Sequence, residues 1–203
     1  MFVVDGQFKP QSYKKLFTYW FSVIIYDKTV EFTDTYIKSW KLKEQMVGAA
    51  RSGKQNIVEG SDDLRTSIKI GIKLCGTSKG SIEELIGDME DFLRQRKLKK
   101  YSKNEERIIL FRKRVGLLVR TLSSLGNLGL QEHDYERRVT ENLARVSLPP
   151  EPETAANFML TLCHQLSFLL EKQIQGLEDK HKREGGFTEK LYTARKSYLK
   201  HNS

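Results

Sequence analysis

Cysteine is nearly absent. Cys75 and Cys163 are the only two in the chain, too few for a disulfide framework, and both sit among apolar residues in helix-like stretches. They read as reduced, core-facing thiols, which fits a reducing, cytoplasmic compartment. Proline is scarce too: four residues, three of them at Pro149, Pro150 and Pro152, are too few for an all-β chain full of turns. No long apolar run is present. The most apolar stretch, 16–26, follows Lys14 and Lys15 but falls short of the roughly 20 residues a bilayer span takes, and no small-residue cleavage site follows it. It reads as the buried side of a helix, and no membrane partner is expected. The signatures of enzymes are missing as well. The four histidines form no H-E-x-x-H, and the chain holds no phosphate loop, no paired C-x-x-C and no G-x-S-x-G. Glu178 and His181 make one Glu-x-x-His, where a di-iron bundle needs two such pairs and two further inward glutamates. Cys163 and His164 are sequence neighbours and point about 100° apart on a helix, so they are no nucleophile–base pair. The expectation is a protein that is not an enzyme and has no cofactor and no metal site.

What is present is helical periodicity. The 203 residues suffice for one domain of ordinary size, or one with an appendage. Leu16, Trp20, Val23 and Val30 predict a first helix over 11–38, capped by Ser12 and interrupted only by Asp27. Leu42, Met46, Ala49, Ala50 and Ile57 predict a second over 39–58, with Gly60 as its stop. Gly48, Ala49, Ala50 and Gly53 keep one side slim for a neighbouring backbone. Ser61 or Asp62 caps a third helix to about 96, with Gly71, Gly76 and Gly80 suggesting a tight contact or a bend. Ser102 and Glu105 form a capping box for a fourth, which Gly126 and Gly129 end. After it come a short amphipathic stretch over 134–146, the proline break at 149–152, an apolar stripe over 158–177 capped by Thr154, and a basic helix over 187–200. No strand is expected. The fold class is therefore all-α: an antiparallel up-down four-helix bundle over 1–130 and a C-terminal helical suffix over 131–203.

The stretch 45–60 reads QMVGAARSGKQNIVEG. Its Ala49, Ala50, Ser52, Asn56, Ile57, Glu59 and Gly60 resemble the Q-x-x-x-A-A-x-S-x-x-x-N-I-x-E-G signature of the bacterial four-helix-bundle proteins first named for intervening sequences of 23S ribosomal RNA genes. Gly80, Ser81, Glu84 and Leu85 are similar to that family's G-S-x-x-E-L. The likeness covers about 11–127. Lys54 stands where relatives often carry proline, and Val47-Gly48 where they often carry two basic residues. The C-terminal 184–189, EGGFTE before a basic helix, resembles the suffix-domain subgroup. The family includes the accessory variability proteins of diversity-generating retroelements. The resemblance therefore implies an antiparallel bundle, a homo-oligomer of pentameric form, a positive surface, nucleic-acid binding and contact with a reverse transcriptase.

Read from the residues alone, Asn56, Glu59 and Gly60 can lock the corner between the second and third helices by bonding free donors of the next helix. Glu84, Asp88 and Asp91 fall on one acidic stripe, read chiefly as a solvated face or partner to neighbouring cations, with a metal site as the alternative. Basic residues exceed acidic ones, 35 to 26, for a net charge of +9. Arg94, Arg96, Lys97, Lys99 and Lys100 gather at the end of the third helix and the turn after it. Arg107, Arg112, Lys113, Arg114 and Arg120 follow on the fourth. These ten are the candidate contacts to RNA or DNA, holding phosphates with little sequence specificity. The competing reading is a protein-interaction scaffold without a nucleic-acid role, supported by the 158–177 stripe, which needs something to cover it.

Overall fold

The computed structural model describes residues 9–64 and 67–201. A short 3-10 turn, Ser12–Lys15, precedes α1 (Phe17–Tyr36), α2 (Trp40–Asp63), α3 (Ile68–Gln95), α4 (Glu106–Leu125), α5 (Glu132–Leu143), α6 (Pro152–Glu184) and α7 (Phe187–His201). The described residues contain no strand.

Several ends differ from the periodicity, each for a local reason. The expected first helix is split at Leu16, which is extended (φ −84°, ψ 134°). The carbonyls of Lys14 and Lys15 are bonded elsewhere: Trp20 donates its indole N–H to the first (2.7 Å) and Ser123 its hydroxyl to the second. Gly60 does not stop α2, which runs on to Asp63. Gly60 is instead a point of close approach. A Cβ there would lie 3.2 Å from the Leu74 Cβ, and a Cβ on Gly71 would lie 3.3 Å from the Gly60 carbonyl oxygen. The two glycines let α2 and α3 draw together, while Gly48, Gly76 and Gly80 face open space. Ser61 and Asp62 consequently remain inside α2, and Ser67 caps α3 by accepting from the Ile70 N–H (3.4 Å). α4 begins at Glu106 and not at Ser102: Glu105 is its N-cap residue, and the expected capping box is not made, the Glu105 carboxylate accepting instead from the Ser102 N–H (2.9 Å) in the turn before the helix. α6 starts at Pro152, ahead of the expected cap Thr154. Proline suits a first helical position because its fixed φ is helical and its missing N–H would have had no partner. Gly185, at φ +67°, closes that helix, and the Gly186 N–H donates to Glu189 (2.8 Å) as α7 begins.

The core is one cluster to which α1, α2, α3, α4 and α6 contribute Ile24 and Phe32, Met46 and Ile57, Ile82 and Met89, Val119 and Leu122, and Met159 and Leu162, all fully buried. Burying each such side chain is worth about 1.5–3 kcal/mol. α2 packs on α1 and α3, and α6 packs on α3 and α1. Thr18 donates to Gln173 (3.0 Å) and Tyr36 to the Pro150 carbonyl (2.6 Å), so α1 and α6 run in opposite directions. Lys79 pairs with Glu171 (2.6 Å) while Lys99 meets Glu153 (2.9 Å), which sets α3 antiparallel to α6 as well. The stripe at 158–177 is thus covered within its own chain. α4, the expected fourth core helix, packs on α6 and α1, with Phe111 edge-on to Phe158 at 5.1 Å, and α5 packs on α4.

Candidate nucleic-acid interface

The basic turn between α3 and α4 is a built corner. α3 ends in a Schellman arrangement: the Leu98 N–H donates to the Leu93 carbonyl (2.9 Å) and the Lys97 N–H to that of Arg94 (3.2 Å). Lys97 holds the left-handed position of this motif, φ 57°, where glycine is the usual occupant, and it is the only non-glycine residue at positive φ among the described residues. The chain is then bolted to the first turns of α6. The Lys99 N–H donates to Glu153 (2.9 Å), and the Tyr101 N–H donates to Asn157 Oδ1 (2.7 Å). Asn157 Nδ2 donates to the carbonyls of Lys99 and Glu153, both at 2.8 Å. The Tyr101 hydroxyl lies 3.3 Å from that of Thr154 and accepts from Arg107 (3.1 Å).

The ten cations singled out by sequence fall into three groups. Arg94 pairs with Asp91 (2.8 Å), Lys99 with Glu105 (3.1 Å) and Lys100 with Glu90. Arg96 donates to the Tyr36 carbonyl (2.8 Å) and stacks over Phe92 at 3.8 Å; Arg107 bonds Tyr101; Arg112 donates to the Lys103 carbonyl. Exposed ion pairs are worth at most about 1 kcal/mol, so those three leave their cations exchangeable. Arg96, Arg107 and Arg112 hold backbone and rings in place. Lys97, Lys113, Arg114 and Arg120 are exposed and have no ion pair among the described residues. Lys113 and Arg120, seven residues apart, share one line down the outer side of α4. No carboxylate occurs between Glu106 and Glu132, a stretch that carries Arg107, Arg112, Lys113, Arg114 and Arg120.

The family-motif residues form the α2–α3 seam. Ser81 donates to Ser52 (3.1 Å), and Ser78 donates to the Gly53 carbonyl (2.8 Å). Ala49, Ala50, Ile57, Gly60 and Leu85 are buried, whereas Glu59, Gly80 and Glu84 are exposed. Asn56 does not reach the next helix; its amide donates back to the Ser52 carbonyl (2.8 Å) and hydroxyl (3.2 Å) inside α2. The expected corner lock is therefore the Gly60–Gly71 approach and the serine bonds. On the acidic stripe, Asp88 has its pKa raised, chiefly by burial and then by Asp91 and Glu84. No group of three or more His, Cys, Asp and Glu side chains able to hold a metal occurs among the described residues. Both thiols are buried. Burial pushes Cys75 up to about 11 and Cys163 higher still, with Glu83 adding to the latter, so both stay protonated at neutral pH.

Sequence reasoning missed the residues that α6 brings to the corner. The loop, α4 and α6 enclose a pocket of about 560 Å³ to which Lys103, His164, Gln165 and Phe168 contribute. The available signal was that Phe168 falls out of phase with the stripe of Phe158, Leu162, Leu166 and Leu170. Among the described residues, no helix is long and apolar enough to cross a membrane. Comparison with family models, curated proteins and solved structures gives no match.

Proposed function

We propose that this chain is a non-enzymatic, self-associating helical protein that binds RNA or DNA through the α3–α4 corner and the outer side of α4, beside a nucleic-acid enzyme such as a reverse transcriptase. The observation that carries the reading is the carboxylate-free stretch of α4 next to a cationic turn whose backbone is fixed by Asn157. Fixed cations hold phosphates without ordering the loop at the moment of binding. The contacts offered by the corner and α4 are to phosphates rather than to base edges, so discrimination between sequences is low. In this reading α1, α2, α3 and α6 are the up-down four-helix bundle, and copies associate as a ring, pentameric by the family likeness. The exposed Ile109, Leu110 and Leu117 form an apolar strip on the same side of α4 as Lys113 and Arg120, so protein contact there competes with nucleic-acid contact. That same strip supports a second reading, a protein scaffold without a nucleic-acid role; the 158–177 stripe no longer does, being covered by α1 and α3.

The test is fluorescence anisotropy of labelled single-stranded RNA with the native protein and with a Lys113→Glu, Arg114→Glu, Arg120→Glu variant. These positions are exposed, so helicity is expected to be unchanged while affinity falls at least about ten-fold. Equal affinity of the two proteins would falsify the assignment of α4. A partner captured from extract equally with and without nuclease, by a protein that binds no RNA, would favour the scaffold.

A further inference from the structure

The pocket at the corner has a composition that the phosphate contacts do not use. Its walls are Ile108 and Leu160, both nearly fully buried, with the rings of Tyr101 and Phe168 beside them. Phe168 is 60 % exposed, an unusual position for phenylalanine on a helix whose other large apolar side chains nearby are covered. Gln165 lines the same space, and its Oε1 is buried with no hydrogen-bond donor among the described residues. Lys100, Lys103 and Arg112 stand around it, and no carboxylate among the described residues lines it. Arg112 is spent on the Lys103 carbonyl and Lys100 pairs with Glu90, while the Lys103 ammonium has no ion pair among the described residues.

We infer that this pocket receives one unstacked base of a single-stranded nucleic acid whose phosphates lie on the surrounding lysines. The inference rests on the nucleic-acid reading above and adds a preference to it. A space of this volume is of the size that holds a small ring-bearing ligand. A base fits its chemistry better than an acyl chain does. The aromatic Phe168 and Tyr101 offer stacking surface, which any base can use. The Gln165 oxygen needs a donor, which a base N–H or exocyclic amino group supplies and a hydrocarbon does not. The cations lie where the strand's phosphates leave the base. A duplex keeps its bases stacked and paired and cannot fill the pocket, so the protein distinguishes single strands from duplex without reading sequence.

The experiment compares three labelled probes of equal length: single-stranded RNA, the same strand made abasic, and a blunt duplex. Each is titrated with the native protein and with Phe168→Ala and Gln165→Leu variants. Stacking of one base is worth about five- to a hundred-fold in affinity. The native protein is expected to bind the base-bearing strand about ten-fold tighter than the abasic strand. Phe168→Ala is expected to erase that difference while leaving duplex and abasic affinities unchanged, and Gln165→Leu to reduce it a few-fold. Because Phe168 is exposed, its truncation leaves the core intact, which the unchanged duplex affinity also checks. Equal binding of base-bearing and abasic strands by the native protein, or a ten-fold preference that survives Phe168→Ala, overturns the pocket assignment and leaves the phosphate-binding reading standing. Failure of all three probes to bind at low salt overturns both.

Discussion

Asn157→Ala severs the joint between α6 and the basic corner, and its size can be worked from the bonds. Asn157 is 2 % exposed and makes three side-chain hydrogen bonds, to the Tyr101 N–H, the Lys99 carbonyl and the Glu153 carbonyl. Each is worth about 0.5–1.5 kcal/mol net, and a donor or acceptor left buried without a partner costs about 1–3 kcal/mol. The Glu153 carbonyl stays within helix α6, and Lys99 is exposed enough for water to replace the lost donor. The Tyr101 N–H is the group least able to recover. The expected loss is therefore about 2–4 kcal/mol. Urea unfolding reads it as a lower midpoint at an unchanged slope. Native-state hydrogen exchange reads it locally, as faster exchange at Tyr101 than the global loss of stability explains. A loss under about 0.5 kcal/mol, or a Tyr101 amide as protected as before, would refute the claim that α6 holds the corner.

Three further outcomes follow from the same packing. Lys97→Gly relieves a left-handed backbone that costs a non-glycine residue about 1–2 kcal/mol, less glycine's entropy of about 0.5–1 kcal/mol; thermal unfolding should show a small gain in stability and RNA titration a loss of affinity. Gly76→Ala, in open space on α3, should stabilise by about 0.5–1 kcal/mol. Gly71→Ala drives a methyl to 2.5 Å from Leu64 Cδ2 and should destabilise; equal effects at the two sites would contradict the α2–α3 approach. Asp88 has a raised pKa in the fold, so its ionised form weakens the native state at neutral pH, and the penalty disappears as pH falls through the folded value towards the ordinary 3.8. Asp88→Asn should therefore raise the melting temperature at pH 7, by a margin that narrows on acidification; a margin independent of pH would contradict the burial and crowding of Asp88.

How much of this was legible in the sequence differs by residue. Ile108, Val115 and Leu122 recur at helical spacing and are buried as periodicity requires. Periodicity says which side of a helix is covered but not by what. Hence the stripe of Phe158, Leu162 and Leu166 marks α6 as half-buried, but nothing in it names α1 and α3 as the helices it lies against. Pro149, Pro150 and Pro152 looked like a domain break because proline marks both linkers and helix starts, and here Pro152 is the start. Gly60 was ambiguous in the same way, between a stop and a close approach, and only Gly71 opposite it decides. At the candidate site, the cations on α4 were visible as a run of like charge. Which of them are engaged was not, since Arg96 meets the Tyr36 carbonyl across 60 positions of sequence and Asn157 meets Tyr101 across 56. Gln165 and Phe168 carried no motif, and their meaning depends on the loop that folds over them.

The most direct measurement of the nucleic-acid claim is the affinity of the native protein for single-stranded RNA across a series of salt concentrations. Four unpaired cations, Lys97, Lys113, Arg114 and Arg120, with Lys103 at the pocket as a fifth, at about 0.7 counterion per phosphate contact, give a log–log slope of about −3 to −3.5. A linear fall of that steepness, shallower by about 2 in the Lys113→Glu, Arg114→Glu, Arg120→Glu protein, is the result expected. An affinity indifferent to salt, or no binding at the lowest salt, contradicts it.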